Sequence, residues 1–186
     1  MGRWQPDAMG RLQRAALELY RDRGYDQTTV AEIADRAELT ERTFFRYFAD
    51  KREVLFGGSD LLEQRLLDAL AATDPASPPL EQVAAALVTA GEVFADRATS
   101  RLRHEVISAH AELQERELMK LARLGAAIAD TLRQRGVADP LATLSAEAGI
   151  AVFKVAFERW IAKAEKRSYD VLFRDSFAEL KAAAMN

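Results

Sequence analysis

The 186-residue chain contains no cysteine, which excludes disulfides, thiolate-ligated zinc, iron–sulfur clusters and thiol nucleophiles together and fits a reducing compartment. Histidine is scarce. His104 and His110 are the only two, no HExxH or similar spacing joins them, and both read as surface or hydrogen-bonded structural groups, so no metal is expected. No run approaches the roughly 20 apolar residues that a membrane helix needs, and the opening MGRWQPDAMG lacks the apolar core of a secretory signal. A cytoplasmic location is the expectation. The chain also lacks a glycine-rich phosphate loop, a nucleophile elbow and any isolated carboxylate pair in an apolar setting. No catalytic residue and no cofactor are therefore assigned, and an enzyme is not expected.

An excess of positive charge is missing too. The net charge is −3, and residues 1–52 carry ten Lys/Arg against nine Asp/Glu, so a nucleic-acid site must be a focused patch rather than a basic domain. Glycine and proline are few and fall between periodic segments, at Gly24, Gly57-Gly58, Pro75, Pro78-Pro79, Gly136 and Pro140. No strand pattern competes with the helical period. With 49% hydrophobic residues the chain can bury a substantial core, and it reads as all-α.

The first helix is expected from Asp7, a cap, to Gly24, a stop, with Leu12, Ala15, Ala16 and Leu19 on one stripe. In TTVAEIADRAELT, Thr29 and Glu32 have capping-box spacing, and Val30, Ile33, Ala34 and Ala37 supply a buried face for a two-turn second helix. Leu39 anchors a tight turn, Thr40 caps, and a third short helix runs from Glu41 to about Phe48. Two short helices around such a turn form the helix-turn-helix pattern, whose second helix can enter the major groove of DNA.

At 100° per residue, Phe44 and Phe48 fall within 40° of each other and face the core, whereas Arg42 and Arg46 fall on the opposite side, flanked by Thr43 and Phe45 with Tyr47 at the border. Guanidinium groups can bond guanine O6 and N7 bidentately, and an apolar ring can touch a thymine methyl. Thr29, Thr40 and Lys51 are placed to position phosphates through hydroxyl groups, a helix start and an ammonium. The DNA-binding set is thus Thr29, Thr40, Arg42, Thr43, Phe45, Arg46, Tyr47 and Lys51.

Residues 24–56, GYDQTTVAEIADRAELTERTFFRYFADKREVLF, resemble the DNA-binding segment of the TetR family of transcriptional regulators, through the glycine-aromatic turn, TTV, IA, T-F-F-x-Y-F and DKREVL. The resemblance implies a homodimer, an all-helical body behind the reading head, and control by a small molecule. It matches Thr29, Thr40, Arg42, Thr43, Phe45, Tyr47 and Lys51 to positions where family members contact DNA, and puts Arg46 at a variable position suited to operator choice. Three residues depart from the pattern. Glu38 stands where glycine is usual, at a cost of about 1 kcal/mol if the backbone is left-handed. Arg42 stands where a small residue is common, and Phe45 replaces a tyrosine.

A DNA-binding domain over residues 1–52 and a ligand-binding and dimerisation domain over residues 53–186 are expected, with about nine helices in all. The fourth helix is read as KREVLFGGSDLLEQRLLDALAA, capped by Asp50 and bent at Gly57-Gly58. TDPASPPLE is an interhelical loop, and five helices follow. The eighth, apolar on most sides from Ala146 to Trp160, must be covered on most sides. With the last helix it offers a twofold interface built on Ile150, Phe153, Phe157, Trp160, Phe173 and Phe177. An apolar effector pocket is assigned to Phe94, Leu102, His104, Ile107, Met119, Phe153 and Phe157. Arg101, Arg103 and His104 read as a solvated basic turn, with contact to an acidic ligand group as the alternative. The function expected is a repressor released from a palindromic operator by a small, largely apolar ligand. A helical carrier of a lipid-like or acyl-CoA-like ligand is the alternative.

Overall fold

The computed structural model describes residues 7–94 and 96–184. Among them the regular structure is helical: α1 Ala8–Arg23, α2 Val30–Arg36, α3 Glu41–Tyr47, α4 Ser59–Ala71, α5 Pro79–Leu87, α6 Arg97–Ser108, α7 Ala111–Gln134, α8 Leu141–Ile161 and α9 Tyr169–Ala184. Two 3-10 turns, Glu53–Phe56 and Val88–Glu92, complete the set. The expected all-α class and the expected count both hold among the described residues.

The local signals act as their chemistry requires. Asp7 accepts from the Gly10 amide at the start of α1, and Gly24, at φ 88°, ends it. Thr29 and Glu32 form a reciprocal capping box on α2. Asp50 caps a 3-10 turn, accepting from the amides of Arg52 and Glu53. Here the expected bent fourth helix is corrected, because the chain leaves helical geometry at Gly57-Gly58 and α4 begins only at Ser59. Crowding explains the glycine: a Cβ at Gly57 would lie 2.7 Å from the Phe48 ring.

The chain divides into two compact units. The first runs to Gly58 and takes in Leu102–Glu117; the second holds Ser59–Arg101 and the residues from Leu118 onward. The boundary expected after residue 52 therefore moves, and a later segment joins the first unit. Burial is the reason. Val54, Leu55 and Phe56 share one core with Leu12, Ala16, Leu19, Ile33 and Phe44, and Val106, Ile107 and Leu113 enter the same cluster. Arg103 donates to the Leu55 carbonyl and pairs with Glu117 at 2.8 Å, Arg116 pairs with Glu53 at 2.6 Å, and the Tyr25 hydroxyl donates to Glu112 at 3.0 Å. Burial, followed by that carboxylate, pushes the Tyr25 phenol above its ordinary pKa.

In the second unit, α8 lies between α5 and α9. A Cβ at Gly149 would come within 2.4 Å of Val83 Cγ1, so the glycine permits α5 to approach. Arginines satisfy carbonyls at helix ends and loops. Arg135 donates to Leu70 O at 2.6 Å and Thr73 O at 2.7 Å, Arg101 to the carbonyls of Ile161 and Ala162, and Arg97 to those of Glu165 and Arg167. Arg101 and Arg103 are thus structural donors rather than a solvated basic turn.

The Glu165 carboxylate orders the α8–α9 loop, accepting from the amides of Lys166 and Arg167 and from the Arg167 guanidinium at 2.6 Å. The Arg167 side-chain bond, followed by those amide bonds, lowers its pKa to about 2. A carboxylate whose folded pKa lies below its unfolded value stabilises above the unfolded value and loses that effect as pH falls through the folded one. The difference in urea midpoint between the wild type and Glu165→Gln should therefore be full at pH 7 and shrink as pH drops from about 4.5 towards 2.

Candidate nucleic-acid interface

The reading surface is built on a seven-residue helix. Thr40 caps α3, its hydroxyl accepting from the Thr43 amide at 3.2 Å and lying 3.0 Å from the Thr43 hydroxyl. Phe44 is fully buried and Phe48 is 4% exposed, with ring centroids 5.5 Å apart, so the two rings pin one side of the rod into the core. Burying each such ring contributes about 1.5–3 kcal/mol. The other side is open. Arg42 and Arg46 are exposed, Phe45 is 55% exposed and Tyr47 41%.

The exposed groups are not equivalent. Arg46 donates to the Tyr47 hydroxyl at 3.1 Å and lies 4.9 Å from the centroid of its ring, a cation–π arrangement that holds both side chains on one flank. Arg42 has no hydrogen-bond or ion-pair partner among the described residues, and its donors remain available for an outside acceptor. Thr29 is exposed at the start of α2, where its hydroxyl donates to Glu32 at 3.0 Å. Two arginines, an apolar ring and a phenol on the free side of a helix whose other side is buried match what a major-groove reader needs.

Comparison with known proteins decides the family. Residues 12–56 match the family described as bacterial regulatory proteins, tetR family, and residues 77–184 match the MftR C-terminal domain. The chain belongs to the TetR family of transcriptional regulators. The HTH-type transcriptional regulator TcmR of Streptomyces glaucescens is 40% identical over 75 residues, which is 40% of this chain and 33% of that protein, so the match spans about a third of that relative's length. A TetR-family regulator from Syntrophomonas wolfei is similar in fold, with a TM-score of 0.66 at 18% identity over 97% of this chain and 96% of its own. The TetR regulator of Nitrosomonas europaea has a TM-score of 0.65 at 15% identity, over 96% and 98%. Among the described residues no helix is long and apolar enough to cross a membrane.

One position in this TetR-family segment carries backbone strain. Glu38, in the slot where the family pattern has glycine, adopts φ 53°, so the turn keeps its left-handed shape with a side chain present. Lys51, expected beside a phosphate, has partners within its own unit. Its ammonium donates to the carbonyls of Tyr25, Asp26 and Thr28 at 2.9, 3.4 and 3.2 Å and sits 4.3 Å from the Tyr25 ring centroid. All three donors are occupied within the unit, because the chain after α1 turns there and leaves carbonyls that need a cation. Sequence position alone placed Lys51 beside the reading helix; the three carbonyls come from a distant stretch.

The residues expected to line an effector pocket belong to both units. Ile107 is buried and Leu102 half-buried in the core of the first unit. His104 contacts the Ser108 hydroxyl at 3.3 Å, and Met119 is 63% exposed. Phe94, Phe153 and Phe157 do come together in the second unit, with Trp160 and Tyr169, at centroid distances of 5.0 to 6.4 Å. The periodicity put all seven on apolar faces without saying which core each face meets. A cleft of about 550 Å³ in the second unit is lined by Leu61, Arg65, Asp68, Ala69, Thr89, Glu92 and Val93, none of them predicted. No sequence signal marked these residues.

The residues expected at a dimer interface lie mostly in the core of the second unit. Ile150, Phe153, Trp160 and Phe173 are buried within their own unit, and Phe157 and Phe177 pack partly against the same core. The rings of α8 and α9 meet one another and Phe94. Leu141, Leu144, Ala151 and Val155 remain exposed at helical spacing on α8, and Val171 and Ala178 on α9.

Replacing Lys51 by methionine should lower stability by about 1.5–3 kcal/mol, the value of hydrogen bonds to a charged group. Urea unfolding measures this. The salt dependence of DNA binding should keep its slope, and a flatter slope would return Lys51 to a phosphate contact.

Proposed function

We propose that this TetR-family protein is a homodimeric repressor that reads a palindromic operator with α3 of each protomer in successive major grooves, about 34 Å apart. The observation that carries the reading is the division of α3 into a buried side, Phe44 and Phe48, and a free side bearing Arg42, Arg46 and Phe45. Arg42 and Arg46 read base edges, Phe45 offers an apolar contact, and Thr29, Thr40, Thr43 and Tyr47 contact the backbone. Neither the near-neutral charge of the first 52 residues nor the net charge of −3 favours binding by bulk attraction, which is consistent with recognition through a few placed side chains.

The second copy covers the exposed stripe of α8 and α9. A row of Leu141, Leu144, Ala151 and Val155 at spacings of three, seven and four suits a helix-to-helix seam, and Val171 and Ala178 widen it. The effector is a small, largely apolar molecule bound by the second unit, where Phe94 and Phe157 are only partly buried beside three further rings. It lowers affinity for DNA by as much as it prefers the conformation that does not bind.

Selection of bound sequences from random duplex DNA by the purified protein tests the reading. A palindromic consensus is the expected result, and recovery of unrelated sequences would end it. Against that consensus, Arg42→Ala and Arg46→Ala should each cost about 1–3 kcal/mol while affinity for random DNA changes little. Leu144→Glu with Val155→Glu should convert the dimer to monomer in sedimentation and leave the helical content of the monomer unchanged.

A further inference from the structure

The turn before α3 is held from outside its own segment. Arg11, on α1, is 26 residues from Ala37 in sequence, and its side chain is only 19% exposed. One nitrogen of its guanidinium donates to the Ala37 carbonyl and also meets the Glu38 carboxylate at 3.3 Å. Ala37 is the C-cap of α2, and Glu38 is the residue at φ 53°. The Glu38 amide donates to Asp35 O and the Leu39 amide to Ala34 O, both at 2.8 Å, so the turn's amides are satisfied by α2. Its Ala37 carbonyl is satisfied by Arg11. Glu38 has no glycine-like freedom, and a side chain in the left-handed region persists only when its surroundings enforce it.

We infer that Arg11 is a positioning residue for operator recognition: it holds the Ala37–Glu38 turn in its left-handed shape and thereby sets the pose of α3, without touching DNA. The Glu38 carboxylate is 84% exposed, so the ion pair by itself is a weak tether. The bond to the backbone carbonyl is the stronger part, because a buried carbonyl left without a donor is costly. The leverage is geometric. Only four residues, 37–40, separate α2 from α3, so a change at Glu38 turns the whole reading rod. Shifting Arg42 and Arg46 by about 1 Å would spoil bidentate contacts, which need close alignment, while leaving attraction to phosphates nearly intact.

This inference rests on the DNA-reading function proposed above, and the test separates the two. Wild type, Arg11→Met, Arg11→Lys, Glu38→Gly and the double variant Arg11→Met with Glu38→Gly are titrated against the selected operator duplex and a random duplex of equal length. Amide hydrogen exchange at Glu38 and Leu39 is followed on the same proteins without DNA. Loss of discrimination in the wild type itself would overturn the DNA reading, whatever Arg11 does. Arg11→Met should lower the operator-to-random affinity ratio about tenfold, with random-duplex affinity changed less than about twofold. Its Glu38 and Leu39 amides should exchange faster, while amides elsewhere in α1 stay protected.

Glycine at 38 adopts the turn unaided, so the double variant should recover most of the ratio and the slow exchange, and Glu38→Gly alone should match the wild type. If Arg11→Met does not fold, Arg11→Lys and the double variant carry the comparison. Lysine keeps the charge but reaches the carbonyl with a single ammonium, and it should fall between wild type and methionine. Equal loss on both duplexes, or a lost ratio that Glu38→Gly fails to restore, would show that Arg11 acts on stability alone and overturn the proposal.

Discussion

Carbonyl oxygens left over where helices end must find donors, and in this protein they find cations from elsewhere in the chain. Arg11 serves the end of α2, Lys51 the stretch after α1, Arg135 the end of α4, Arg101 the end of α8, and Arg97 the loop that follows it. Each couples two segments distant in sequence through a charged donor, the stronger kind of hydrogen bond. An all-helical fold with short helices has many such ends per residue, so the need recurs along the whole chain.

The basic residues that satisfy carbonyls, Arg11, Lys51, Arg97, Arg101 and Arg135, are partly withdrawn from solvent, others pair with carboxylates, and Arg42 and Arg46 on α3 face outward. Arg11 and Lys51 are occupied within their unit, whereas among the described residues Arg42 on the free side of α3 is not. A net charge near zero is then no obstacle to binding DNA. A small number of guanidinium groups on a rod pinned by Phe44 and Phe48 can discriminate between base pairs, whereas a diffuse basic surface would bind any sequence.

Much of the reading head was legible. The capping box at Thr29 and Glu32, the cap at Thr40, and the 100° rule for Phe44, Phe48, Arg42 and Arg46 all rest on interactions within one turn or two, which the local sequence controls. The left-handed backbone at Glu38 was only a condition attached to the glycine usual at that position, and the turn does adopt it, at φ 53°. The fourth helix was misread because the apolar period continues through Gly57-Gly58, while the Phe48 ring above Gly57 is invisible from the segment itself. Phe153 and Phe173 looked like interface residues because they lie on apolar stripes, and a stripe does not say whether a neighbouring helix or a second chain will cover it.

The sequence by itself determined the helical class, the helix ends with side-chain caps, and which face of α3 is apolar, because those follow from neighbours one to four residues apart and from the handedness of the backbone. Tertiary structure alone decided that Leu102–Glu117 joins the first unit, that Lys51 serves three carbonyls instead of standing free, and that Leu144 and Val155 of α8 are exposed while Phe153 is buried. These outcomes depend on which distant surfaces compete for the same donor or the same apolar face, and no local pattern encodes the winner of that competition.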